Sequence, residues 1–112
     1  MKTSSCKQKG RVLQQWVVKM LIKYLGADPE DLESRPMGSQ GEDVIMAKSV
    51  RKKFPFSIEC KNVEKLNVWS AYDQAKANCG KYEPLVVMKK NGKKPLAVMD
   101  AEQFIKLMKG LK

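Results

Sequence analysis

A chain of 112 residues, 43% apolar, suits one compact domain, 1–112, with a single core. Twenty-two Lys and Arg against twelve Asp and Glu leave a formal charge of +10 spread along the chain, which points to a polyanionic partner, most commonly a phosphate backbone. No histidine is present, which excludes Ser-His and Cys-His nucleophile pairs and His-ligated metal sites, so any catalysis rests on carboxylates, lysines or a metal held by oxygen.

Lys2, Lys7 and Lys9, with Arg11 behind them, make residues 1–10 a basic arm expected to be flexible until a partner orders it. From Arg11 to Leu25 the apolar residues Val12, Leu13, Trp16, Val17, Met20, Leu21, Tyr24 and Leu25 predict an amphipathic helix stopped by Gly26, with Gln14, Gln15, Lys19 and Lys23 on its polar face. Lys19 and Lys23 interrupt this most apolar stretch, which is too short to span a bilayer, and no small-residue cleavage site follows it. Cys6, Cys60 and Cys79 are odd in number and lack CxxC spacing, suggesting neither a disulfide framework nor a zinc site. A cytoplasmic, non-membrane protein is the expectation.

Residues 27–41 carry Pro29, Pro36, Gly38 and Gly41 and read as loop, with a short strand near Leu32 to Arg35. Two runs follow, Asp43 to Lys48 and Phe54 to Lys61, expected as an antiparallel pair around a basic turn. Asn67 to Cys79 repeats Val68, Ala71, Tyr72, Ala75 and Cys79 at helical spacing, with Asn67 as N-cap and Gly80 past the end. Leu85 to Met88 is a continuous apolar run typical of a buried central strand, and strand, helix, strand implies a parallel crossover. Asn91-Gly92 signals a hairpin to a strand over Pro95 to Met99. Asp100 and Gln103 resemble a capping box for a last helix, whose apolar face holds Ala101, Phe104, Ile105 and Met108. The expected order is α-β-β-α-β-β-α, an α/β fold.

Chemistry concentrates in Gly41-Glu42-Asp43-Val44 and Phe56-Ser57-Ile58-Glu59-Cys60-Lys61. Strand alternation puts Ser57, Glu59 and Lys61 on one face and Phe56, Ile58 and Cys60 on the other, so Glu59 and Lys61 stand together where Asp43 can approach. Two carboxylates beside a lysine suit phosphodiester hydrolysis: Asp43 and Glu59 would hold Mg²⁺, or Mn²⁺, through oxygen, and Lys61 would orient the attacking water or stabilise the transition state. About two acid-x-base triplets arise by chance at these frequencies, Glu33-x-Arg35 being another, so the signal lies in the context of two strands and a following helix. On that helix Gln74 shares a polar stripe with Asn67, Ser70 and Asn78, open to a site-facing amide or a solvated edge. Lys48, Arg51, Lys52 and Lys53 would contact phosphates or simply line a solvated turn, as would Lys89, Lys90, Lys93 and Lys94 around Asn91-Gly92. Trp69 falls outside the apolar face of its helix, half-buried core being its ordinary reading.

These stretches, with Trp69-Ser70-Ala71-Tyr72-Asp73-Gln74-Ala75, resemble the PD-(D/E)XK nuclease superfamily, and within it the small Holliday-junction-resolvase-like nucleases, including those carried by bacteriophages. The resemblance covers roughly Ser39 to Met99. It implies a restriction-endonuclease-like mixed β-sheet flanked by helices, Asp43 and Glu59 as metal ligands, Lys61 as catalytic lysine, Gln74 turned to the site, and Ser39 touching phosphate. It also implies branched DNA as substrate, a homodimer matching the two symmetry-related strands of a four-way junction, and, for a phage-encoded protein, the bacterial cytoplasm. Flaps, nicks or foreign duplex DNA are the alternative substrates, and a non-catalytic nucleic-acid-binding module is the alternative role. Two departures are visible: Glu42 stands where the name motif has proline, and the first helix offers Gln14 and Gln15 where many resolvases place a Glu.

Overall fold

The computed structural model describes residues 3–36 and 38–111. In chain order, α1 (Thr3–Leu25) leads through a 3-10 turn (Pro29–Asp31) to β1 (Leu32–Ser34) and β2 (Val44–Met46). Then come α2 (Lys48–Lys53), β3 (Phe56–Asn62), α3 (Val68–Ala77), β4 (Glu83–Lys89), β5 (Leu96–Val98) and α4 (Ala101–Met108). The architecture is α/β, a mixed sheet with helices against it. β3 and β4 are parallel, in register Glu59 to Val86, with α3 as the crossover, and β4 and β5 are antiparallel. The Asn91-Gly92 turn closes that hairpin, with Gly92 at φ 76°, a conformation that a side chain disfavours.

Three helix ends follow their residues. The Asn67 side chain accepts from Ser70 N at 3.0 Å, Asp100 accepts from Gln103 N at 3.0 Å, and the Gly26 N–H donates to Ile22 O at 3.2 Å. A side-chain acceptor at an N-cap satisfies one of the helix's orphan donors, so the Asn67 and Asp100 caps fix where α3 and α4 start.

Apolar residues gather on both faces of β3 and β4. On one face Leu13, Val17 and Leu21 of α1 join Phe56, Ile58, Cys60, Leu85, Val87 and the buried residues of β1 and β2. On the other, Ala71 and Ala75 of α3 close over Val86. The two alanines let α3 lie close to the sheet, which sets its polar side chains against the polar face of β3.

Six expectations are corrected. The segment expected as an arm is helical from Thr3, so Lys7 and Lys9 belong to α1, while residues 1 and 2 lie outside the described residues. The buried stripe of α1 includes Gln14, while Val12, Trp16 and Tyr24 are exposed: both flanks of α1 carry apolar residues, so periodicity alone left its inward angle open. Third, β2 forms its antiparallel ladder with β1 rather than with β3, which the residue leading into it meets through one backbone bond, Asp43 N to Ile58 O at 2.8 Å. The basic turn at 48–53 is helical, and Trp69 is 82% exposed rather than half-buried. Finally, α4 buries none of its residues, and its apolar face points into solvent.

Candidate active site

β3 carries the site, and each of its residues from Phe56 to Cys60 is buried. Ser57, Glu59 and Lys61 line the face toward α3. Ser57 Oγ donates to Asn78 O at 3.5 Å, and Lys61 Nζ donates to Gln74 Oε1 at 2.8 Å. Gln74 therefore faces the cluster, and it fixes the lysine ammonium 3.5 Å from Glu59 Oε2.

Asp43 sits at the point where β2 meets β3. Its Oδ2 accepts from Cys60 N at 2.6 Å, which fastens the carboxylate to the edge of β3 and leaves Oδ1 uncommitted among the described residues. The approach of β2 depends on its preceding loop. Gly41, at φ 119°, passes so near Arg35 that a Cβ would meet the guanidinium at 2.9 Å, and Arg35 Nε donates to the carbonyl of Glu42. The glycine of Gly-x-Asp thus admits the arginine that braces the loop carrying Asp43.

Both carboxyls are held above their ordinary titration range. For Asp43 burial is the main cause, opposed by the Cys60 N–H and by the positive charges of Lys61 and Arg35. Burial dominates for Glu59 as well, followed by repulsion from Asp43 and opposed by Lys61 and the nearby Asn78 amide. Glu59 is only 4% exposed, and its Oε1 has no hydrogen-bond partner among the described residues. A buried carboxylate oxygen without a partner is costly in a fold that could have placed an apolar residue there. The same burial raises the Cys60 thiol far above its ordinary range, which keeps it inert.

A second orphan lies on α1. Gln14 is 6% exposed, and its Oε1 also lacks a partner among the described residues. Asn62 Nδ2 donates to Lys9 O and Lys53 Nζ to Leu25 O, both at 3.2 Å, so α1 runs antiparallel to β3. With a rise of about 1.5 Å per helical residue and about 3.3 Å per strand residue, Gln14 stands level with Glu59 and Cys60. Its side chain is buried on the α1 side of β3, not on the solvated face where its spacing had put it.

The basic residues divide into two groups. Lys48 and Lys52 are exposed on α2, and Arg11 and Ser39 are exposed with only local bonds, to Gln8 and Pro36 O. Lys53 caps the end of α1. Arg51 is engaged internally: it pairs with Glu42, donates to Phe56 O at 2.8 Å, and lies 4.2 Å over the Tyr82 ring. Glu42 is therefore the anchor of Arg51, a pairing that acid-base spacing along the chain did not reveal.

The donor set fits a hard divalent cation. Asp43 Oδ1 and Glu59 Oε1 are the uncommitted oxygens of the two clustered carboxylates among the described residues, and oxygen ligands are what Mg²⁺ and Mn²⁺ take. No group of three or more His, Cys, Asp or Glu forms among the described residues, so water and substrate oxygens would complete the shell. No protein-family model, curated protein or solved structure matches this chain. Among the described residues no helix is long and apolar enough to cross a membrane.

Proposed function

We propose that this chain is a metal-dependent DNA endonuclease, acting on branched DNA and most specifically on four-way junctions. The observation that carries this reading is Glu59, a buried carboxylate with an unpartnered oxygen, beside a second carboxylate and a positioned lysine. The order of elements, with Asp43 on the strand entering the sheet and Glu59 and Lys61 on the strand before a parallel crossover, supports a restriction-endonuclease-like core.

Asp43 and Glu59 would hold Mg²⁺ or Mn²⁺. When bound, such an ion lowers the pKa of a water ligand and offsets charge on the phosphate oxygens. The protein's own residues do the rest. Lys61, held by Gln74, presents its ammonium to the attacking water or a phosphate oxygen, and in a poorly solvated cleft that charge is worth more than in water. Gln74 positions Lys61 rather than touching the reaction. Gln14, on the first helix where many resolvases carry a Glu, offers a buried amide oxygen able to accept from water in the metal's shell. Lys48, Lys52, Arg11 and Ser39 supply phosphate contacts around the cut, and a net charge of +10 draws DNA to the surface. A homodimer would present two such sites to the two symmetric strands of a junction. A bacterial cytoplasm, reached through a phage genome, is the setting this reading favours.

The test compares wild type, Asp43→Ala and Lys61→Ala on labelled four-way junction, flap and linear duplex with Mg²⁺ or Mn²⁺. Junction cutting by wild type alone is expected. Equal cutting by all three proteins would sink the site assignment. Preference for flaps or duplex would move the substrate within the same chemistry, and salt-sensitive binding without any cutting would leave a non-catalytic module.

A further inference from the structure

The last helix has the pattern of a core element and the position of a surface one. At 100° per residue, Phe104, Ile105, Leu107 and Met108 share one face, while Glu102 and Lys106, with Lys109 at the C-cap, share the other. Phe104 is 51% exposed and Ile105 66%, and among the described residues α4 buries nothing. From those exposures the stripe presents on the order of 400 Å² of apolar surface, the size of the largest patch on a typical monomer.

A complementary cavity of about 730 Å³ opens elsewhere on the same chain. Val63, Leu66, Val68, Met88 and Leu96 line it, between the start of α3 and the β4–β5 hairpin. Four lysines of the hairpin, Lys89, Lys90, Lys93 and Lys94, border the cavity. Their stems extend its apolar wall while the ammonium groups remain in water.

We propose that α4 of one copy docks its Phe104–Met108 face into the Met88–Leu96 groove of a second copy, and that the contact is reciprocal. Three observations select a second copy of this chain as the occupant. The chain supplies both halves, a convex apolar stripe and a concave apolar groove, and fills neither. The stripe lies opposite Lys106 and Lys109, so docking leaves those charges in water, away from the lysine border. One helix face with the groove beneath it falls short of a stable interface, whereas two reciprocal contacts approach about 1,200 Å² in total, the lower end of the range of specific dimers. Reciprocity is the twofold solution, in which each copy gives a helix and receives one. This surface is independent of the chemistry at Asp43 and Glu59, and its test does not require cleavage.

Sedimentation equilibrium of the full chain across a concentration series reads the assembly directly. Wild type is expected as a dimer. Phe104→Glu, in the helix, and Leu96→Glu, in the groove, are each expected as monomers with wild-type circular dichroism and Tm, since both residues are exposed. An equimolar mixture of the two variants retains one intact helix–groove pair and should associate at least tenfold more tightly than either variant alone. Should either variant unfold, Ile105→Lys and Val63→Lys test the same two halves. A monomeric wild type, a Leu96→Glu protein that still dimerises, a mixture no tighter than its components, or open-ended growth beyond the dimer would each overturn the proposal.

Discussion

The two faces of β3 are built from alternate residues of one seven-residue strand and serve opposite ends. Toward α1, Phe56, Ile58 and Cys60 enter a continuous apolar cluster. Toward α3, Ser57 and Glu59 are buried as deeply, yet Glu59 keeps an oxygen with no partner and a carboxyl that burial and Asp43 both destabilise as an anion. Equal burial therefore does not mean equal contribution to folding. One face stabilises the domain, and the other holds charge where a stability optimum would hold none.

The largest effect that should separate the faces is catalytic. Lys61→Ala on the α3 face is expected to lower metal-stimulated cleavage by about a thousandfold, as removal of a transition-state charge partner commonly does, with little loss of folding. Ile58→Ala on the α1 face should instead cost about 2–5 kcal/mol in denaturant unfolding, while each folded molecule still cuts. If Ile58→Ala left stability intact and Lys61→Ala unfolded the protein, the contrast between the faces would be reversed.

Gln14 offers a finer cut. Gln14→Met keeps the volume and removes the unpartnered oxygen, so stability should hold or rise. Metal affinity, read by Mn²⁺ titration, should fall about 10–100-fold if the amide supports the shell. Unchanged affinity would return Gln14 to a purely structural role.

Stability against pH distinguishes the faces without any substrate. Because the folded-state values of Asp43 and Glu59 lie above their ordinary ones, the folded protein binds protons more readily than the unfolded chain. The contribution of these two groups is then favourable at low pH and is lost as pH rises from the ordinary carboxylate range, about pH 4, through the raised values. Metal-free protein should thus lose Tm across that window, and Asp43→Asn should flatten the loss. A wild-type curve identical to that of Asp43→Asn would show that the aspartate carries no such strain.

The smallest effects concern the basic surface. Lys48→Ala and Lys52→Ala should each reduce the salt dependence of DNA binding by about one unit of slope per lost phosphate contact. Arg51→Ala should chiefly lower Tm, because its guanidinium is held by Glu42, Phe56 O and Tyr82.

Much of this site could be read from the chain. Alternation along Phe56 to Lys61 separated the two faces, and the upstream Asp43 and downstream Gln74 both converge on that strand. Local chemistry also placed the Asn67 and Asp100 caps and the Asn91-Gly92 hairpin, each set by residues within a few positions. Longer-range choices were hidden. Nothing in the spacing of α1 told whether Trp16 or Gln14 faces inward, since both flanks are apolar and only the docking of the helix on β3 decides. Arg51 read as a phosphate contact because its partners, Glu42 and Tyr82, are distant in sequence and meet only in the fold. The outward face of α4 was likewise invisible, because an amphipathic pattern states that a face will be covered and not by which chain.

If the α3 face of β3 trades stability for metal-dependent cutting, Glu59→Gln shows it most directly. Cleavage of a labelled four-way junction in Mg²⁺, beside the Tm of the same samples in EDTA at neutral pH, gives both readings. The expected result is a variant as stable as wild type or more so that forms no product. A variant that cuts like wild type, or that is inactive only because it has unfolded, would contradict the account.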